Sequence, residues 1–336
     1  MLKRILALIL CLLMSVSVLA ACGEPEATEP TPAPTAPQPP EEAGVLKVLT
    51  LGHSLAVDSG HMLALIANAE GYDKMIVGTL YESGCSITEH LTRTQTGEKA
   101  YDLYLSSTEE PGMPPSILVD MSMQDALEYD YWDIVIMQGG VFEIAVHHTY
   151  KYNKIQDIQA FVREHNKNPN TVFGWHMTWV PPTDNTLRDT YPHEPNTYYT
   201  NYEQYNHDRT TVYKAVAQCV QDYIVPDSTF AYLIPSATAM ENALSSYLEE
   251  TDLHRDFVHA SDLGRVIASY TWFCSLTGVQ KLEEIKLDTI PKAFMFSSNS
   301  PAHTLTEMEK KIIIEAVNNA LANPLQMTQS QYTQAG

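Results

Sequence analysis

Val48-Leu49-Thr50-Leu51-Gly52-His53-Ser54 is a short apolar run ending in Gly-His-Ser, and a helical pattern follows within a few residues. An apolar run of this length, rich in Val and Leu and closed by Gly, reads as a buried strand. A serine just past the C-terminal end of such a strand stands where open α/β sheets bind their ligands. Ser54 is therefore the candidate nucleophile of a hydrolase. The rest of the chain is read for the groups that would position and activate it.

Outward from this stretch, a strand is expected over 46–51 and a helix over 57–69. Met62, Leu63, Leu65 and Ile66 give that helix one apolar face, and Gly71 closes it. Further strands are expected over 75–80, 133–138, 171–175 and 229–234. Between them fall helices over 123–129, 154–164 and 208–223, and a short one capped by Ser86 or Thr88. Ser236 is a candidate cap for another helix. A long helix over 263–276 is stopped by Gly278, and a last one over 304–322 by Pro324. Residues 96–117 read as irregular. Residues 180–208 hold Pro181, Pro182, Pro192 and Pro195 and the tyrosines 191, 198, 199, 202 and 205. Loops that long are usually functional or disordered. Strands alternating with helices predict a mainly parallel five-stranded sheet covered on both faces. That is a three-layer α/β/α sandwich of the flavodoxin-like kind, with expected strand order 2-1-3-4-5.

The chain opens with Lys3 and Arg4, an apolar run from Ile5 to Val18, and Leu19-Ala20-Ala21-Cys22. A basic start, an apolar core and small residues before a cut describe an export signal over 1–21. The run is too short for a comfortable membrane span. Leu-Ala-Ala-Cys resembles the bacterial lipobox, in which the cysteine is lipidated and becomes the mature N-terminus; an ordinary signal peptide is the alternative. Residues 22–44, rich in Pro, Glu, Thr and Ala, suit an extended tether. The folded domain is expected over 45–325, followed by a polar tail at 326–336. The expected location is the extracytoplasmic face of a membrane, with lipidated Cys22 as the only membrane contact.

The formal net charge is −21, and loss of Lys3 and Arg4 with the leader makes the chain more acidic still. Such a chain does not bind nucleic acid or anionic lipid by general electrostatics. Cys85, Cys219 and Cys274 show no zinc or redox spacing, so buried thiols or one disulfide are expected, with no metal cluster and no cofactor. His147 and His148 are adjacent and would face opposite ways on a strand, which disfavours a zinc site there. Composition leaves the oligomeric state open.

A serine nucleophile needs a base, a group to orient that base, and donors for the oxyanion. His259 is the candidate base. Asp256, three residues earlier, can fold back onto the ring nitrogen that faces away from the serine; Asp252 is the alternative partner. Alone, Asp-x-x-His says little in a chain with 12 histidines. The Gly84 backbone and the Gln138 side-chain amide are candidate oxyanion donors. His53, and His176 and Trp179 after the fourth expected strand, are candidate substrate contacts; buried core groups are the other reading of the last two. Gly52-His53-Ser54-Leu55-Ala56 nearly spells the Gly-x-Ser-x-Gly elbow. That elbow follows several strands, however, and its acid and histidine lie far apart in sequence.

Together these positions resemble the SGNH, or GDSL-like, hydrolase superfamily, over Leu46 to about Gly278. Gly52-His53-Ser54 resembles the first block, Ser83-Gly84-Cys85 the second, Gln138 stands at the Asn of the third, and Asp256-Phe257-Val258-His259 matches the last. His53 departs from the usual Asp or Asn, and Gln138 is one methylene longer than Asn. Trp132-Asp133 and Asp262-Leu263-Gly264-Arg265 look like a branch of exported bacterial members. The resemblance implies a serine esterase. In it Ser54 attacks, His259 and Asp256 handle the proton, and Ser54 N–H, Gly84 N–H and Gln138 form the oxyanion hole. The implied substrate is a small ester such as an acetylated saccharide. A carbohydrate-binding lipoprotein with little turnover and an O-acyltransferase are the alternatives.

Overall fold

The computed structural model describes residues 44–72, 74–141, 143–183, 205, 208–295 and 301–334. The expected leader, Cys22, the expected tether up to residue 43 and most of the tyrosine-rich stretch lie outside the described residues.

Strand β1 (Leu46–Gly52) is the centre of the sheet. It pairs in parallel with β2 (Met75–Tyr81) on one side and β5 (Ile134–Gln138) on the other. Every residue of β5 is buried, so both faces of the sheet are covered, as a parallel sheet requires. Strands β6 (Val172–His176) and β7 (Phe230–Ile234) continue in parallel beyond β5. These five strands keep the expected order.

The sheet nevertheless has seven strands, not five. Residues 96–117, read as irregular, include β3 (Tyr101–Ser107) and the start of β4 (Ser116–Met121). Both add antiparallel at the β2 edge, giving the order β4-β3-β2-β1-β5-β6-β7. Tyr101 and Leu103 bury one face of β3, while β4 has no fully buried residue. Edge strands lack the continuous apolar run that marks the interior ones, so their pattern is easily lost.

Helix α1 (Ser54–Gly60) starts at the serine itself, ahead of the apolar periodicity, and the chain turns before α2 (Leu63–Ala69). Ser86 and Glu89 form a capping box for α3 (Ile87–Thr96), and Ser122 with Asp125 does the same for α4 (Met123–Leu127). These two helices pack with α5 (Lys154–His165), while α6 (Arg209–Tyr223) leans on the 147–150 turn. A second group joins α7 (Ser236–Leu244), the short α8 (Glu250–Leu253), α9 (Asp262–Thr277) and α10 (Glu307–Ala322), with α9 also against α1 and α2. Pro235, not Ser236, holds the cap position of α7.

After α10 the polar tail returns along the second helix group. Thr328 N–H donates to Asn242 Oδ1 at 2.6 Å, and Tyr247 N–H donates to the Tyr332 carbonyl at 2.9 Å. Cys85, Cys219 and Cys274 are buried free thiols, so no disulfide joins any two of them. Among the described residues no helix is long and apolar enough to cross a membrane.

Candidate active site

The candidate residues stand at the C-terminal ends of β1, β2 and β5 and in the segment between α8 and α9. At the end of β1, a Cβ on Gly52 would lie 2.6 Å from Ala56 Cβ and 2.9 Å from Gln138 Nε2, so only glycine fits. His53 caps α1: its Nδ1 accepts the Leu55 N–H at 3.3 Å. Its Nε2 faces the Gly139 carbonyl at 3.0 Å and must carry the proton. The imidazole thus does the capping work of an Asp or Asn while also tying β1 to the loop after β5. Burial pushes its pKa down to about 4, which keeps the ring neutral. Ser54 is half-buried at the first helical position, where a backbone N–H has no intrahelical acceptor.

Asp256 and His259 meet. The carboxylate lies 2.8 Å (Oδ2) and 3.0 Å (Oδ1) from His259 Nδ1. Oδ1 also accepts the backbone N–H of Val258 at 3.0 Å and of His259 at 2.8 Å, an Asx-type turn that three-residue spacing allows. Burial resists the charge on Asp256, but the bonds from His259 and Val258 outweigh it and bring the pKa down to about 2. A carboxylate facing Nδ1 places the ring proton there and leaves Nε2 bare to act as a base. Asp252 instead accepts the Glu249 N–H at the start of α8. Trp179 Nε1–H donates to the Val258 carbonyl at 2.8 Å and braces the loop from behind.

Asp58 joins this loop to the helix that Ser54 opens. It lies one turn beyond Ser54, and its Oδ2 accepts the N–H of Ala260, the residue after His259, at 3.1 Å. Residues four apart share a helix face, so Ser54 and the His259 loop lie on the same side of α1.

The Gly84 turn is stitched to β1 by the Glu82 N–H, which donates to the Gly52 carbonyl at 3.2 Å. The Glu82 carboxylate accepts from Arg93 Nε at 3.2 Å and from Cys85 Sγ at 3.3 Å. Gly84 has φ +65° with open space where a Cβ would sit, so backbone conformation, not crowding, calls for glycine. Among the described residues no backbone carbonyl accepts its N–H.

Gln138 ends β5 and is 2 % exposed. Its Oε1 lies 2.9 Å from His176 Nδ1, and since a carbonyl oxygen only accepts, the ring nitrogen donates. The Nε2 amide is left buried without a partner, close over Gly52. An orphaned buried donor costs about 1–3 kcal/mol, a deficit that a ligand's oxygen would remove. His176 stands edge-on to Trp272 at 4.8 Å, and its burial keeps the ring neutral. His176→Phe keeps the ring packing and removes the donor that orients the amide. We expect kcat to fall by about 10–100-fold with KM little changed, read by steady-state kinetics on an aryl acetate.

Of the sequence candidates, Asp256 and His259 are in direct contact; Ser54 opens α1 after β1, Gly84 stands in the turn after β2, and Gln138 ends β5. His53, His176 and Trp179 are the candidate substrate contacts, with buried core groups the other reading of the last two. All three are buried, and each spends a ring nitrogen on a protein partner. They support the site from behind. Asp58 and Arg255 were not among the candidates; the one local signal is the i+4 spacing of Asp58 from Ser54.

The structure is similar to the crystal structure of a DUF4886 family protein from Bacteroides uniformis, with TM-score 0.67 and 22 % identity over 86 % of this chain and 100 % of that one. That likeness shows a shared fold. A candidate SGNH hydrolase from Slackia heliotrinireducens aligns at TM-score 0.42 and 18 % identity over 69 % of this chain and 99 % of its own. TesA aligns at 0.41 and 12 %, over 69 % and 99 %. None of the curated proteins matches the sequence. The profile of DUF4886, a domain of unknown function, matches residues 47–293, and the chain belongs to that family.

Proposed function

We propose that this chain is a serine hydrolase of ester bonds that works on the SGNH plan. The observation that carries the reading is the Asp256–His259 pair, 2.8 Å apart, bonded through Ala260 to the helix that Ser54 opens. The unpartnered Gln138 amide close by supplies the third requirement, an oxyanion donor.

In this reading Ser54 Oγ attacks the acyl carbon as His259 Nε2 takes its proton. Asp256 steadies the imidazolium through Nδ1–H. The oxyanion is held by the N–H groups of Ser54 and Gly84 and by Gln138 Nε2. As the tetrahedral species collapses, the ester C–O bond breaks and His259 returns the proton to the leaving alkoxide. Water then attacks the acyl-serine, giving its proton to His259, and the Ser54 oxygen leaves and takes that proton back.

For the substrate we propose a small acyl group, such as acetyl, on a saccharide. The acidity of the chain supports a neutral substrate over an anionic one. For the location we propose the extracytoplasmic face of a membrane, with the chain held through lipidated Cys22. Leu19-Ala20-Ala21-Cys22 and the Pro-rich segment after it support that placement.

A fluorophosphonate probe tests the chemistry: the expected adduct is on the tryptic peptide that contains Ser54, and an acetylated oligosaccharide should release acetate. No adduct together with saturable glycan binding would replace this reading with a carbohydrate-binding protein. Capture of the acyl group by an added sugar acceptor, in preference to water, would replace it with an acyltransferase.

A further inference from the structure

Asp58 is a carboxylate almost wholly removed from solvent, 4 % exposed, in the first turns of α1. Burying an ion costs several kcal/mol unless it is paired and hydrogen-bonded. Here it is both. Arg255 Nη1 lies 2.9 Å from Oδ1 and 3.0 Å from Oδ2, and Arg265 Nε lies 3.7 Å from Oδ1. Arg265 is itself fixed by the Phe294 carbonyl at 2.6 Å, Asp262 Oδ1 at 3.1 Å and His61 Nδ1 at 3.1 Å. Burial pushes the Asp58 carboxyl up, and the two guanidinium groups pull it back toward the charged form.

The contacts converge on the peptide groups around His259. The Arg255 backbone N–H donates to the His259 carbonyl at 3.0 Å. The Arg255 guanidinium donates to the Ala260 carbonyl, and the Ala260 N–H donates to Asp58. Both peptide groups of Ala260 are therefore held by the Asp58–Arg255 pair. Stability alone does not require such a pair, because buried ion pairs are often matched or bettered by apolar residues of similar volume. What an apolar pair would not supply is a fixed register between α1 and this loop.

We propose that Asp58 and Arg255 form a buried clamp that sets the placement of the His259 imidazole relative to Ser54. Asp58 acts as a positioning residue for the proton transfer. The kinetic consequence rests on the hydrolase reading above; the geometric one does not.

The test compares the full chain with Asp58→Asn, Arg255→Lys and the double variant Asp58→Asn/Arg255→Gln. Four readouts are taken: melting temperature, the fluorophosphonate labelling rate, kcat and KM on an aryl acetate, and the downfield proton resonance of His259 Nδ1–H bonded to Asp256. In Asp58→Asn we expect kcat and the labelling rate to fall by about 100-fold, with KM within about twofold and the resonance broadened or lost. The double variant removes both charges of the pair and leaves Arg265 paired with Asp262, so its melting temperature should recover above that of Asp58→Asn while kcat stays low. Recovery of kcat along with the melting temperature would make the pair merely structural and overturn the proposal. Should Asp58→Asn fail to fold, Arg255→Lys decides: a loss of about tenfold or more in kcat at near wild-type melting temperature supports the clamp, and unchanged kcat overturns it. If wild type proves inert at Ser54, the hydrolase reading fails while the resonance still judges the clamp. A resonance as sharp in the folded variant as in wild type refutes it, and its loss upholds it.

Discussion

Ser54→Ala should lower kcat for an aryl acetate by about five to six orders of magnitude. The melting temperature should stay where it is. The size of the first effect follows from the chemistry. Without Oγ there is no covalent intermediate, and His259 has no bound hydroxyl to deprotonate. What remains is the stabilisation offered by the oxyanion donors, worth about 10³–10⁴-fold over water in comparable sites. The absence of the second effect follows from the structure. The capping acceptor of α1 is His53 Nδ1, not Ser54 Oγ, so the helix keeps its cap. Among the described residues Ser54 Oγ has no hydrogen-bond partner, and Ala is the better helix former at this half-buried position. Kinetics on an aryl acetate and a thermal melt, run on the same preparation, check both halves. Activity within about tenfold of wild type would remove Ser54 from the chemistry.

How far the sequence carries is set by how local each interaction is. Strands β1, β2, β5 and β6 are legible because interior strands are apolar on both faces, and β7, although it lies at an edge, because Phe230 to Ile234 is an unbroken apolar run. Strands β3 and β4 are not, because an edge pair bears Ser, Asp and Tyr and needs only one apolar side. The Asp256–His259 pair is legible because three residues span it. The Asp58–Arg255 pair is separated by 197 residues and leaves no pattern to read. The Gln138–His176 contact lies between: both residues end strands, and they become neighbours only once β5 and β6 are known to pair with Gln138 opposite His176. His53 sits beside the candidate nucleophile Ser54 in sequence, which suggests substrate contact. Its burial follows from the α1 start and the Gly139 carbonyl, and neither is visible in a linear string.

Gly264→Ala is expected to destabilise the fold by about 3 kcal/mol or more, the largest loss we anticipate from a single added methyl. Helix propensity alone argues the opposite, since Ala in a helix is favoured over Gly by about 1 kcal/mol. Sterics decide the sign. A Cβ at Gly264 would lie 2.2 Å from the Leu253 carbonyl oxygen, 3.1 Å from Met240 Cε and 3.2 Å from Ala260 Cβ. The methionine can move; the carbonyl cannot do so cheaply. It accepts the Ser261 N–H at 2.9 Å, at the base of the loop that carries Asp256 and His259. That base is closed by the His254–Ala260 bridge. Pushing Leu253 away therefore breaks the joint between α8 and α9 and shifts the imidazole with it, so kcat should fall together with stability. Gly278→Ala is the control. Gly278 has φ +73° and nothing within 4 Å of a Cβ, so it should lose only about 1 kcal/mol from left-handed strain and leave kcat unchanged. Urea unfolding midpoints, read with kcat for both variants, separate the cases. If Gly264→Ala unfolds no earlier than Gly278→Ala, close packing of α9 against the Leu253 carbonyl is not what holds the His259 loop in place.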